Sequence, residues 1–148
     1  KDEEEVKQNW ETLKLKEGKN SVLEGVPTSL PALVKSSRIQ DKVAGVGFDW
    51  EHPEQVKEKL QEELAELQVE VDKGDKDAME AEFGDVLFSL VNYGKHLGVN
   101  PEDALERTNK KFIKRFQYLE SKATDLGKKL SDMTLAEMDV FWDEAKKL

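Results

Sequence analysis

Apolar residues recur at three- and four-residue intervals along nearly the whole chain, and no β-branched run alternates with period two. The pattern predicts an all-α protein. A first helix is expected over 2–17, where Val6, Trp10, Leu13 and Leu15 sit among charges. Gly25, Pro27 and Ser29 break the chain over 18–30. A second helix is expected from about Ser29 to Ala44, ended by Gly45-Val46-Gly47-Phe48. Pro53 opens a third, reaching about Asp72, with Val56, Leu60, Leu64, Leu67 and Val71 as its apolar stripe. The Gly74-Asp75 turn leads, with Asp75 or Asp77 as N-cap, into a fourth helix that ends near Leu97. So short a link makes these two helices antiparallel neighbours. Asn100-Pro101-Glu102-Asp103 places a cap, a first-turn proline and two acids at the start of a fifth helix, running to about Thr124. After a loop over 127–133, Thr134-Leu135-Ala136-Glu137 reads as a capping box opening a last helix through Lys146. One domain over 1–148 is expected, with 1–46 as a possible N-terminal helical arm.

Composition narrows the classes. Charged residues make up 37% of the 148 residues, well above the roughly 25% of an average domain. The 32 acids and 23 bases give a net charge of −9. That excludes a general nucleic-acid binder, which needs a basic footprint. It leaves room for one small phosphorylated ligand if a cation mediates the contact. There is no cysteine for a disulfide or thiolate site, and two histidines argue against histidine-bound zinc. No apolar run approaches the roughly 18 residues of a membrane span, and no signal-peptide pattern is found. A cytoplasmic protein is expected. The chain opens on Lys1, so a fragment or processed form is expected as well.

The third and fourth helices carry the most informative chemistry. On a helical wheel, Glu63 and Glu66 border the apolar stripe with Lys59 between them, while Glu58 and Glu62 point away. On the fourth helix Met79, Phe83, Val86, Leu87, Leu90 and Leu97 form the stripe, and Glu82 and Asp85 lie beside it. Antiparallel packing can bring Glu82 and Asp85 opposite Glu63 and Glu66. Four converging carboxylates repel one another unless a cation joins them. Oxygen ligands without His or Cys favour Mg²⁺, with Mn²⁺ as a substitute. Solvated acidic faces are the plainer explanation of any one such pair. Phe88 lies off the main stripe and leaves an apolar patch, so a homodimer or a higher even oligomer is expected.

The fifth helix has Leu105, Phe112, Phe116 and Leu119 on its apolar face, with Asn109 inside that face. Lys111 and Arg115 lie together on the flank, one turn apart, while Lys110 and Lys114 point outward. A buried-face Asn needs partners, and two adjacent cations can hold phosphate oxygens. Pairing with surplus acids would explain the same residues. Trp142 and Lys146, one turn apart on the last helix, offer a nucleotide an aromatic face and an ammonium, though core packing would equally explain the tryptophan.

With these residues in view, the sequence resembles the MazG nucleoside triphosphate pyrophosphohydrolases. Their E-E-x-x-E, spacer, E-x-x-D motif stands as Glu62-Glu63-Leu64-Ala65-Glu66 and Glu82-Phe83-Gly84-Asp85. The likeness extends over Val43-Ala44-Gly45-Val46-Gly47-Phe48-Asp49-Trp50, Asn100-Pro101-Glu102, Thr108-Asn109-Lys110-Lys111-Phe112 with Arg115-Phe116, and Phe141-Trp142-Asp143-Glu144-Ala145-Lys146. It covers most of the chain and is greatest to the C-terminal half of the two-repeat members. The resemblance implies an all-α enzyme, usually dimeric, whose four-helix core the partner subunit completes. It implies Mg²⁺ on Glu63, Glu66, Glu82 and Asp85, and nucleotide contacts from Lys59, Asp85, Asn109, Lys111, Arg115, Trp142 and Lys146. Glu63, with Glu62, is the first choice for handling the attacking water. The reaction implied is a nucleoside triphosphate plus water giving the monophosphate and pyrophosphate, as nucleotide-pool house-cleaning.

Two rivals stand beside this reading. One is a non-catalytic acidic helical dimerisation module. The other is a related pyrophosphatase with a narrow substrate, dUTP or phosphoribosyl-ATP. A ferritin-like di-iron protein is disfavoured, because neither acidic helix has the E-x-x-H ligand pair.

Overall fold

The computed structural model describes residues 20–148 and, before them, Glu3, Glu5, Val6 and Trp10. The helix expected over 2–17 lies outside the described residues except at those four positions, which are helical. The described residues form α1 (Ala32–Ala44), α2 (Pro53–Lys73), α3 (Lys76–His96), α4 (Pro101–Asp125), a 3₁₀ turn (Leu130–Asp132) and α5 (Leu135–Ala145). The fold is all-α, and no strand occurs among the described residues. No described helix is long and apolar enough to cross a membrane. The chain divides into two compact units, Lys1–Glu102 and Asp103–Leu148.

In the first unit, α2 and α3 form the antiparallel pair that the short link requires. Pro53 sits in the first turn of α2, where its missing N–H costs nothing. Gln55 Oε1 accepts from the backbone N–H of Glu51 and His52 at 3.0 Å each, satisfying donors at the helix entrance. Gly74 ends α2 at φ 72°, a left-handed turn that favours glycine, and Asp75 caps α3 by accepting from Ala78 N at 3.2 Å. The reversal is complete in two residues, which fixes which turns of the two helices face each other.

α1 lies against α3. Gln40 Nε2 donates to the Phe88 carbonyl at 3.0 Å, and Lys95 Nζ donates to the Ser37 carbonyl at 3.0 Å and bonds Asp41. Gly47, at φ 89°, turns the chain after α1. His96 Nε2 lies 2.7 Å from Asp49 Oδ1 and ties that turn to the end of α3.

The buried apolar positions of this unit among the described residues are Val56 and Val91. Most of the stripe expected to bury α3 is open instead: Phe83 is 55% and Leu90 49% exposed, and Leu87 and Leu97 are exposed as well, while Met79 and Val86 are half-buried. Its buried line passes through Ser89 and Val91. The apolar stripe and the buried line of α3 therefore differ.

In the second unit, Leu119 and Ala123 of α4, Met133 and Ala145 of α5 are buried. The capping box expected at the start of α5 is present. Thr134 Oγ1 accepts from Glu137 N at 3.1 Å, and Glu137 Oε1 accepts from Thr134 N at 3.4 Å. Lys128 Nζ adds an ion pair to Glu137 at 3.1 Å.

Candidate metal and nucleotide site

The two-residue reversal brings the middle of α2 against the first half of α3. Glu63, Glu66 and Glu82 each present a carboxylate oxygen to one small volume, all within 4.8 Å of one another. Glu63 is 6% exposed, Glu82 is half-buried and Glu66 is exposed. Lys59, one turn before Glu63, donates to its Oε1 at 2.8 Å and stands 4.0 Å from Glu62. Glu62 itself is exposed, on the outward side expected of it.

One oxygen of Glu63 is thus committed to Lys59. Glu63 Oε2 and Glu82 Oε2 are buried with no hydrogen-bond partner. Buried polar atoms are nearly always paired, so two orphaned carboxylate oxygens at one place require explanation. The electrostatics agree. The Lys59 hydrogen bond holds the Glu63 carboxyl below the usual range against the opposing effect of burial. Burial pushes the Glu82 carboxyl up, followed by the charge of Glu66, with Glu63 and Asp85 adding to the rise. The hydrogen bond to Glu63 raises the Lys59 ammonium in turn. One carboxylate is kept ionised while its neighbour across the helix pair resists ionisation, as like charges packed together do. A hard divalent cation fits this donor set, because it takes oxygen ligands and cancels the repulsion. Asp85, one turn beyond Glu82, is exposed and is not among the three converging acids, although its charge acts on Glu82.

The basic residues of α4 occupy a different setting. Lys111 and Arg115 line a cleft of about 660 Å³ in the second unit, and Lys110 and Lys114 line it with them. Those two lysines are exposed, on the outward side expected of them, and the wheel did not group them with Lys111 and Arg115. The signal was present in the interleaved four-residue spacings Lys110–Lys114 and Lys111–Arg115. Asn109 was expected on a buried apolar face but is exposed, because that face is itself open: Leu105 is 51% and Phe112 56% exposed. Trp142 is half-buried and packs on Phe112 with ring centroids 4.9 Å apart at 53°. Lys146 is exposed, its Nζ 3.9 Å from the Asp143 carboxylate.

Residues 51–119 match the family model of the MazG nucleotide pyrophosphohydrolase domain. These residues of the chain are similar to a MazG domain. Every acid of the cluster, with Lys59, Lys111 and Arg115, lies inside the matched residues, whereas Trp142 and Lys146 lie beyond them. Among curated relatives, the chain is 39% identical over 140 residues to the nucleoside triphosphate pyrophosphohydrolase/pyrophosphatase MazG of Thermotoga maritima, covering 93% of this chain and 54% of that protein. It is 36% identical over 149 residues to the nucleoside triphosphate pyrophosphohydrolase of Escherichia coli, covering 97% of this chain and 57% of the other. It is 44% identical over 150 residues to the uncharacterized protein YabN of Bacillus subtilis, spanning 31% of that longer protein. The chain therefore spans about half the length of the MazG relatives it matches.

Proposed function

We propose that this chain hydrolyses nucleoside triphosphates to the monophosphate and pyrophosphate, with Mg²⁺ as cofactor, in the cleansing of a cytoplasmic nucleotide pool. The observation that carries the reading is the convergence of Glu63, Glu66 and Glu82, with two orphaned buried oxygens, inside the residues similar to a MazG domain. In this reading Glu63, Glu66, Glu82 and Asp85 hold the metal. Bound Mg²⁺ supplies charge neutralisation on the phosphoryl oxygens and acidifies water.

The chain's own residues do the rest. Lys59 keeps Glu63 ionised, so that Glu63 orients the attacking water and accepts a hydrogen bond from it. Glu63 takes the water's proton as its oxygen bonds to phosphorus and the bond to the leaving pyrophosphate breaks, and Glu62, exposed beside Lys59, assists it. Lys111 and Arg115 neutralise phosphate charge and steady the leaving pyrophosphate. Trp142 offers its ring to the nucleotide, with Asn109 and Lys146 as polar contacts and Asp85 shared between metal and substrate. The 148 residues act as one catalytic domain, and a second copy completes the helical core in a homodimer or a higher even oligomer. The ligand is a small nucleotide rather than a nucleic acid, in keeping with the net charge of −9.

The test is product analysis on a panel of nucleoside triphosphates, including dUTP, with and without Mg²⁺. Metal-dependent release of pyrophosphate and monophosphate is expected. A protein that releases neither from any of them would be the acidic dimerisation module instead.

A further inference from the structure

Gln40 of α1 is 5% exposed, and its amide is satisfied on one side only. Nε2 donates to the Phe88 carbonyl at 3.0 Å and to Ser36 Oγ at 3.5 Å. Oε1 is buried with no hydrogen-bond partner. Turning the amide over offers no relief, because it would set Oε1 against the Phe88 carbonyl, oxygen to oxygen. The acceptor is therefore held in place, and an unpaired buried acceptor is costly until a donor arrives.

Gln40 lines a cavity of about 470 Å³ in the first unit, with Phe48, Trp50 and Phe88 as aromatic walls, Val43 as an aliphatic one and Asn92 as a second amide. The local chain sets these walls. After the Gly47 turn, at φ 89°, the Phe48 N–H donates to the Val43 carbonyl at 2.9 Å. Asp49 Oδ1 accepts from the Trp50 N–H at 2.8 Å and meets His96 Nε2 at 2.7 Å, which ties the Trp50 segment to the end of α3. Aromatic walls suit a flat ring, and the orphaned acceptor calls for an N–H on its edge. The cavity is also in register with the acids. Asn92 follows Asp85 by two turns on one face of α3, roughly 10 Å along the axis. A ribose and its phosphates span such a length.

We infer that this cavity seats the base of the nucleotide, and that Gln40 selects bases carrying an amino group on the ring. The amino group gives an N–H to Gln40 Oε1. An oxo group at the same ring position would set oxygen against oxygen, and a site built around a hydrogen bond rejects the analogue that lacks it. Cytosine is thus favoured over uracil and adenine over hypoxanthine, the reverse of a site shaped for deaminated bases. As a substrate preference this rests on the proposed hydrolysis; as binding it does not.

Calorimetry with nucleosides, which lack phosphate and need no Mg²⁺, tests the cavity apart from the acids. Cytidine should bind about tenfold or more tightly than uridine, and adenosine than inosine. Gln40→Met keeps the length and removes the acceptor, and both ratios should fall toward one. Phe48→Ala, at an exposed wall position, should weaken all four nucleosides and leave the ratios standing. In the hydrolysis assay kcat/KM should favour CTP over UTP and ATP over ITP by similar factors, and Gln40→Met should erase both. No detectable nucleoside binding, equal binding within either pair, a preference that survives Gln40→Met, or a Phe48→Ala variant that binds like the parent would each overturn the assignment. A parent that discriminates nucleosides through Gln40 yet releases no pyrophosphate would retire the hydrolysis and leave the cavity standing. A parent that hydrolyses CTP and UTP equally would do the opposite.

Discussion

Glu63 has one oxygen given to Lys59 and the other buried without a partner, and Glu82 faces it with a second orphaned oxygen. Adding a proton to Glu82 relieves that crowding, and so would a divalent cation. Substitution by amides separates the two remedies. Glu82→Gln and Asp85→Asn keep size and helical shape and remove charge. Hydrolysis should fall by about a hundredfold or more, the scale on which lost electrostatic stabilisation is felt. Melting without metal should hold steady or rise, because repulsion is relieved. Glu58→Gln, on the exposed side of α2, should change neither. If the two amide variants turn over nucleotide like the parent, the carboxylates are not the site. The metal itself can be weighed by mass action. At a hundredfold excess over its Kd, Mg²⁺ should add about 2.7 kcal/mol of stability, a shift of several degrees in Tm for a chain of this size. Glu66→Gln should shrink that shift, and a Tm indifferent to millimolar Mg²⁺, with nucleotide present or absent, would count against the cluster.

Helix ends decide where these side chains stand. Gly74 holds φ 72° between α2 and α3, and any residue with a Cβ is strained there. Gly74→Ala should cost about 1–2 kcal/mol and loosen the register that sets Glu63 opposite Glu82, so chemical denaturation and hydrolysis should both register it. At α5 the box between Thr134 and Glu137 is a second test. Thr134→Ala should cost about 1 kcal/mol, read from the denaturation midpoint at unchanged slope. The same box predicts a pH response. The Lys128 ion pair, then the Thr134 backbone N–H, hold Glu137 below its ordinary value of 4.5. A depressed carboxylate stabilises the fold above its unfolded value and loses that contribution as pH falls through the folded one. Parent and Glu137→Gln should therefore differ in Tm at neutral pH and converge as the pH falls below 4.5 and through the depressed folded value. Curves that stay parallel into acid would show that the charge of Glu137 is not what stabilises α5.

On the scale of the whole molecule, the apolar surface is out of proportion to what is buried. Leu64, Phe83, Leu87 and Leu90 on the α2–α3 pair stay exposed, and so do Leu105, Phe112 and Ile113 on α4. Exposed apolar area on this scale marks an association surface. Sedimentation at micromolar concentration should report a dimer or a higher even assembly, and Phe83→Asp with Leu90→Asp should shift it toward the monomer. A parent that sediments as a monomer would sink that expectation.

The sequence determined the helices and their ends through local physics. Pro53, Gly74, Asp75 and the Thr134–Glu137 box act within a few residues of themselves, so their effect is written in the order of the chain. It determined the convergence of the acids too, since the spacing of Glu63 from Glu66 and the two-residue reversal before Glu82 leave little freedom in how the pair meets. Tertiary structure decided what the wheel cannot compute. It committed Glu63 to Lys59, left two carboxylate oxygens orphaned, and put Asp85 outside the converging three. It opened the faces that carry Phe83 and Asn109, which a wheel assigns to a core because it ranks positions by polarity and contains no neighbour to cover them. It gathered Lys110 and Lys114 into the cleft of Lys111 and Arg115. A helix's period fixes which residues share a face; only the surrounding chain fixes whether that face is buried, paired or left open for a ligand.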